Sequence, residues 1–461
     1  MKSVLNVFIT FLFFAQCKVA FATPMEIEKF QWGNLDVIWA NDSRYPLFSM
    51  VVYFADGALS DGPNYGSTQA AFNLMTSGTK SFSQHDIAEN LEYLAVSYGA
   101  SVTHEYSTYS VSGPIKNLAP AMKMICHIFH DATFPEVEVA KEKKRSESAI
   151  KDMIDNHGPL AERAFREITL SGTPFSYPVG GKLKDISKLK SSALAAKIAY
   201  FNKQVKKRIY LTGPRSVLDI KKMLLEDCSW GQKEQNFIRA LTPLENKQIA
   251  MAKDTAPKII LVKVPKANQA QIRLGKILGK NDVGQDEILE FSSSFIGGGF
   301  TSRLMREVRV KRGLTYSISA RASGQREYGR SVISTFTKNE TTEETIKVIK
   351  EVLNAVAKGE IDQEDFQRTK DFIVGSYPFR FEKTQAYLMQ LLSLDHEGKS
   401  YDELYNLPTK ISAIKSENLM ASMSYLFPYD KLHIVVLGPI ALKEKLEKIG
   451  KVEVRDYKDF L

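Results

Sequence analysis

Two stretches of this 461-residue sequence carry side chains whose type and spacing invite a chemical reading. The first is GSTQAAFNLMTSGT, residues 66–79. Ser67 or Thr68 is placed to cap a helix, Ala70, Ala71, Phe72, Leu74 and Met75 to fill it, and Gly78 to stop it. Gln69 and Asn73 stand four apart, so a segment otherwise built for burial points two carboxamides the same way. The second stretch is FIGGGFTSRLMREVRVKRGLTYSISA, residues 295–320. Gly297, Gly298 and Gly299 read as a flexible turn where backbone can come close to another chain. Ser302 can cap a helix running through Val310, Gly313 ends it, and LTYSISA reads as a strand. Arg309 then lies in the last helical turn and Tyr316 just inside the strand. A guanidinium and a phenol are both donors to an oxygen acceptor.

Other chemistry is sparse. His127 and His130 in CHIFH have a spacing that permits two metal ligands, but the only nearby acid is the adjacent Asp131, so the pair reads as a helix end. No Gly-x-Ser-x-Gly elbow or Cys–His arrangement stands out. The formal charge is +9, and its clusters, KEKKR (141–145) and QVKKR (204–208), lack interleaved aromatics. They read as solvated faces, which argues against nucleic-acid binding.

The elements that hold these stretches occur twice. KKRIYLTGPRSVLDIKKML (206–224) and YDKLHIVVLGPIALKEKLEKI (429–449) share a basic start, a β-rich run, Gly-Pro and an amphipathic helix. Gly213-Pro214 and Gly438-Pro439 are 225 residues apart. Strands are expected at 35–41, 47–56, 100–114, 257–265, 270–278, 314–323 and 330–337. Helices are expected at 83–98, 116–130, 136–155, 284–296, 302–311, 342–357 and 362–375. The pattern predicts α+β: two homologous domains, each a mostly antiparallel sheet with helices on one face. The expected boundaries are 23–227 and 257–461, with the polar 228–256 segment as linker.

The 295–320 stretch closely resembles the second-half signature of the pitrilysin-type zinc peptidases, the family of the mitochondrial processing peptidase. PKANQAQIRLG (265–275) is similar to that family's second-half opening, and the resemblance extends across the chain from residue 23. It implies roughly six strands per sheet and a two-domain chain that forms one half of a clamshell around unfolded peptides. Members hold zinc through His-x-x-Glu-His on a first-half helix and a further Glu. GSTQAAFNLMTSGT fits that motif end to end without a gap. Gln69 stands at the first His, Phe72 at the Glu base and Asn73 at the second His. Ala149, 76 residues after Asn73, stands at the distal Glu, with Glu147 two residues away. Amides, a phenyl ring and a methyl are poor replacements for zinc donors. The resemblance therefore implies a chain that binds no zinc itself.

Arg309 and Tyr316 match the family's Arg/Tyr pair at the same spacing of seven. The implied role is in trans: the pair reaches the zinc site of a homologous, zinc-bearing partner subunit and steadies the substrate carbonyl. Gly297, Gly298 and Gly299 are the candidate substrate contact. Two other readings are a non-proteolytic assembly subunit and a peptide-binding homodimer.

Residues 1–22 have a basic start, an apolar run and Ala20-Phe21-Ala22, the pattern of a cleaved secretory signal. The apolar run of about a dozen residues falls short of the ~20 a membrane span needs. Cleavage would remove Lys2 and Lys18, take the charge from +9 to +7, and deliver the chain to the periplasm or outside the cell. Cys126 and Cys228 are then the cysteines left; they are expected as two separate buried thiols, although that compartment permits a bridge.

Overall fold

The computed structural model describes residues 25–231 and 256–461. The leader and residues 232–255 of the expected linker lie outside them. The first half contains β1 (Ile27–Trp32), β2 (Leu35–Asn41), β3 (Leu47–Phe54), β4 (Ser97–Val102), β5 (Ser107–Pro114) and β6 (Lys207–Gly213). They form one sheet in the order β1-β2-β6-β3-β5-β4. The second half contains β7 (Ile259–Lys263), β8 (Gln269–Gly279), β9 (Ile318–Gly324), β10 (Tyr328–Lys338), β11 (His433–Gly438) and β12 (Val452–Asp456), ordered β12-β7-β11-β8-β10-β9.

The two sheets repeat the same inner plan. β2 runs parallel to β6, and β7 runs parallel to β11; from there each sheet continues antiparallel to its last strand. Gly213 and Gly438, the repeat visible in the sequence, end the equivalent strands β6 and β11. At Gly213 φ is +140°, and a Cβ would meet the Leu47 carbonyl oxygen at 2.8 Å, so glycine is required there. The outer strand differs: β1 pairs antiparallel and β12 parallel. Neither was expected from sequence.

Each half packs its own helices on one face of its sheet. In the first half these include α1 (Ser67–Leu74), α2 (Leu118–Asp131), α3 (Glu136–Asp152) and, beyond the helix described next, Ser191–Gln204. The other face is covered by a helix lent from the opposite half. From the first half, α4 (His157–Thr169) buries Leu160, Ala161, Ala164 and Phe165 against Ile260, Val262, Val332, Val435 and Leu437 of the second sheet. From the second half, α5 (Asp286–Gly297) stays on its own sheet, while α6 (Thr384–Glu397) buries Tyr387, Leu388, Leu391 and Leu392 against Ile38, Ala40, Val51 and Tyr210. Fully burying one such side chain is worth ~1.5–3 kcal/mol. Both faces of the inner strands are therefore dry, which explains apolar runs such as MVVYF in β3.

Three expectations change. The helix expected at 83–98 stops at Tyr93; Ala95 turns the chain at φ +50°, and β4 begins at Ser97. Cys126 and Cys228 are not separate thiols: they form a disulfide closing 102 residues. The bridge holds the end of the first half against α2, where Trp230 is 1% exposed and donates its indole N–H to Asn202 Oδ1 at 2.8 Å. Residues 228–231 thus pack into the first half rather than starting the linker.

Candidate functional site

α1 starts at Gly66, whose φ is +85° and whose missing Cβ leaves room for the Gly180 carbonyl. Its cap is not Ser67 or Thr68 but Asp61. The Asp61 carboxylate accepts from Gly66 N–H (2.9 Å), Thr68 N–H (3.0 Å) and both the Ser67 and Thr68 hydroxyls. A carboxylate at a helix N-terminus satisfies the orphan N–H groups there and complements the helix dipole. Lys197 Nζ lies 3.3 Å from the same acid.

This anchored helix presents the three positions differently. Phe72 is 2% exposed and makes edge-on contacts with Phe54 (5.6 Å) and Phe201 (5.0 Å), so position 72 belongs to the core. Gln69 and Asn73 are joined in a hydrogen-bonded chain. Gln69 Nε2 donates to Asn73 Oδ1 at 2.8 Å, and Asn73 Nδ2 donates to Glu142 Oε1 at 3.0 Å. Glu142, buried on α3, also accepts from the Ser146 hydroxyl at 3.3 Å and forms an ion pair with Arg145. The acid that reaches α1 is therefore Glu142. Glu147 lies 3.9 Å from Lys151 instead, and Ala149 is exposed two helical turns beyond Glu142.

Zinc requires three or four thiolate, imidazole or carboxylate donors in tetrahedral array. The equivalent positions here offer two amides already bonded to each other, a core phenyl ring and a methyl. The one carboxylate nearby holds three protein partners. These residues do not fit zinc, and no cluster of three or more His, Cys, Asp or Glu side chains suited to a metal occurs among the described residues. His130 Nε2 instead lies 2.9 Å from the Cys228 carbonyl oxygen, and His127 sits 3.6 Å from Asp131.

The second-half residues are arranged otherwise. The expected α-helix at 302–311 widens into a π-helix over Met305–Val310, with Lys311 N–H bonded to Arg306 O five residues back at 3.0 Å. Such turns are rare and occur often at functional sites. The expected strand does not begin at Leu314. Leu314 carbonyl accepts from Thr337 Oγ1 (2.6 Å), and Thr315 and Thr335 hydroxyls meet at 3.2 Å, so side chains replace the ladder until β9 starts at Ile318. Tyr316 is accordingly not inside the strand. It stands 77% exposed between buried Thr315 and β9. Arg309 lies 5.4 Å over the Phe300 ring, itself exposed. Among the described residues neither the Arg309 guanidinium nor the Tyr316 hydroxyl has a hydrogen-bond or ion-pair partner.

The glycine triplet divides. Gly297 ends α5 so close to β9 that a Cβ would fall 2.2 Å from Ala320 N, so the close approach is to its own domain, not to another chain. A Cβ on Gly298 would meet Ser294, whereas Gly299 faces open space before Phe300. The α3 surface carrying Ser146 and Ala149 lines a cavity of about 850 Å³ shared with α4, β9 and β10. Gln69, Phe72, Asn73, Arg309 and Tyr316 are not among its lining residues.

Residues 37–182 match a family model described as Insulinase (Peptidase family M16), and residues 223–372 match one described as Peptidase M16 inactive domain. The chain is 22% identical over 372 residues to a Helicobacter pylori protein named Non-peptidase homolog YmxG, covering 80% of this chain and 83% of that one. It is 22% identical over 412 residues to a Bacillus subtilis protein named Uncharacterized zinc protease YmxG, covering 86% and 95%. A solved peptidase M16 inactive domain from Pseudomonas fluorescens superimposes with a TM-score of 0.78 at 21% identity, over 90% of this chain and 98% of that one. A Helicobacter pylori protease does so at 0.76 and 15% identity, over 90% and 100%. These structures share the fold of two mixed six-stranded halves.

Proposed function

The chain belongs to the M16 peptidase family, and on that premise we propose that it is the zinc-less subunit of a heterodimeric periplasmic peptidase. A homologous partner bearing His-x-x-Glu-His holds the zinc, which supplies an activated water there. This chain contributes half of the peptide chamber and two donors in trans. The Tyr316 hydroxyl donates to the scissile carbonyl oxygen as it gains charge, and Arg309 holds a neighbouring carbonyl or the same oxygen. The peptide lies extended, with β4, the exposed end strand of the first sheet, available for strand addition. Gly299 and Phe300 lie beside Arg309 and offer backbone and ring to the passing chain.

One observation carries the reading: the amides at the degenerate metal positions are bonded to each other and to Glu142, whereas Tyr316 is exposed, Arg309 lies half-buried over Phe300, and neither side chain has a hydrogen-bond or ion-pair partner among the described residues. A second reading, a peptide-binding or assembly subunit without proteolysis, draws on the same closed amide chain and makes no use of Arg309 and Tyr316.

The test is reconstitution. This chain and a secreted homologue with an intact zinc motif are purified separately, mixed, and given a quenched unstructured peptide. We expect cleavage only by the mixture. Arg309→Ala or Tyr316→Phe should lower kcat by ~10²–10³, the usual cost of losing one oxyanion donor. Full activity in both variants would remove the trans role, and silence on mixing would favour the non-proteolytic reading.

A further inference from the structure

The 850 Å³ cavity between the halves has a role of its own to explain, because its walls carry more positive than negative charge. α4 contributes Arg163 and Arg166, β9 contributes Arg321, and β10 contributes Arg330; the lining acids are Glu105 and Glu162. The β9–β10 register sets Arg321 opposite Val332 and Arg330 opposite Ser323. Arg321 and Arg330 are therefore diagonal neighbours on the sheet face that α4 covers.

Glu162 and Glu167 are already shared. Glu162 lies 2.8 Å from Arg330 and 3.7 Å from Arg273. Glu167, behind the wall, lies 2.6 Å from Lys182 and 3.4 Å from Arg163. Glu105 turns toward His396 at 3.5 Å. That leaves Arg166, half-buried, with one long 3.4 Å bond to the Tyr328 hydroxyl and no acid. The exposed Arg321 guanidinium has neither a hydrogen-bond nor an ion-pair partner among the described residues. For Arg166, a half-buried guanidinium without a counter-charge is costly, and the fork of either side chain matches a carboxylate in two-point fashion. The wall also carries the apolar side chains Ile150, Met153, Phe175 and Val179 among hydroxyls and amides, which suits an organic anion over a bare inorganic one. The volume lies in the range of sites that enclose small ligands or a few residues of a chain.

We propose that this cavity binds a peptide carboxylate, held by Arg166 and Arg321, and so selects peptides by an acidic residue or a free C-terminus. The inference rests on the peptide-chamber part of the proposed function and not on the partner or on cleavage. Arg330 and Arg163, tied to Glu162 and Glu167, frame the site without being free to bind.

Isothermal titration of the full chain alone tests it, with an unstructured decapeptide of Gly, Ala, Ser and Phe ending in Glu. Three further forms carry a C-terminal amide, a Glu→Gln change, or both. The doubly neutral form should bind about tenfold weaker or worse than the parent, as expected for losing a hydrogen bond to a charged group. Loss on amidation alone assigns the C-terminus, and loss on Glu→Gln alone assigns the side chain. Arg166→Ala and Arg321→Ala should each weaken the parent by a similar factor and leave the doubly neutral form unchanged. Arg321 lies at an exposed edge position, so its variant keeps the test valid if Arg166→Ala fails to fold. Equal binding of all four peptides, unchanged affinity in Arg321→Ala, or no binding of any form would overturn the proposal. Because neither partner nor turnover enters the measurement, failure of trans-catalysis leaves this result standing, and the converse also holds.

Discussion

The two halves share a sheet plan but treat their polar groups in opposite ways. On α1, Gln69 bonds to Asn73, Asn73 to Glu142, and Glu142 to Ser146 and Arg145. On the π-helix and the segment after it, Tyr316 stands exposed and Arg309 lies half-buried over the Phe300 ring, neither side chain with a hydrogen-bond or ion-pair partner among the described residues. A site that closes on itself in amides offers a metal neither imidazole nor free carboxylate. A site held open by a rigid backbone keeps its donors for a ligand. The difference also shows in position 72, where a phenyl ring locked among Phe54 and Phe201 has been absorbed into the core.

Substitutions sharpen that contrast. Phe72→Ala should have the largest effect, a loss of ~3–5 kcal/mol of stability from the cavity left among aromatic rings. Phe300→Ala, exposed beside Arg309, should stay within ~0.5 kcal/mol. Equal costs in urea denaturation would mean that position 72 is not structural.

Next is the disulfide that fixes only the first half. Replacing Cys126 and Cys228 together by Ser should cost ~2–4 kcal/mol, since the bridge closes a long loop. A denaturation midpoint indifferent to the double substitution would contradict this.

The second half has its own signature in acid. His433, at the start of β11, is 4% exposed, and burial pulls its pKa from 6.5 to about 4, with Lys258 adding to the effect. Burial lowers the pKa of His104 in the first half as well. Between pH 6.5 and 4 the unfolded chain binds the proton and the folded chain does not. Stability is therefore complete above pH 6.5 and falls as pH drops toward 4, by roughly 3 kcal/mol for His433 at 1.36 kcal/mol per pH unit. His433→Phe should flatten that slope, and an unchanged slope would show that another group governs it.

The smallest effect is expected at Asn73→Ala. The amide is exposed, and Glu142 keeps Ser146 and Arg145, so stability should change by about 1 kcal/mol or less and cleavage by the reconstituted pair not at all. A large loss of cleavage would place chemistry on α1 after all.

Much of this was legible in the sequence, and the gaps have physical causes. Gly213-Pro214 and Gly438-Pro439 revealed the duplication because both end the same inner strand, where Gly213 has no room for a side chain. The 66–79 segment declared a helix through its apolar spacing. Glu142 stayed hidden because a partner 69 residues away leaves no local pattern, although it precedes Ala149 by seven, two turns along one helix. The π-turn was invisible because Leu304, Met305 and Val308 satisfy α-helical spacing equally well. Tyr316 was misread because LTYSISA has strand composition, while the hydroxyls of Thr315, Thr335 and Thr337 take over the backbone pairing. The exchange of α4 and α6 could not be read at all: periodicity marks an amphipathic helix but not the sheet it covers.

The most direct measurement is metal content and hydrolysis by the pure chain alone. After incubation with excess zinc and desalting, elemental analysis should find well below one equivalent bound, and a quenched unstructured peptide should remain intact. One tightly held equivalent together with amide-bond cleavage would contradict the account.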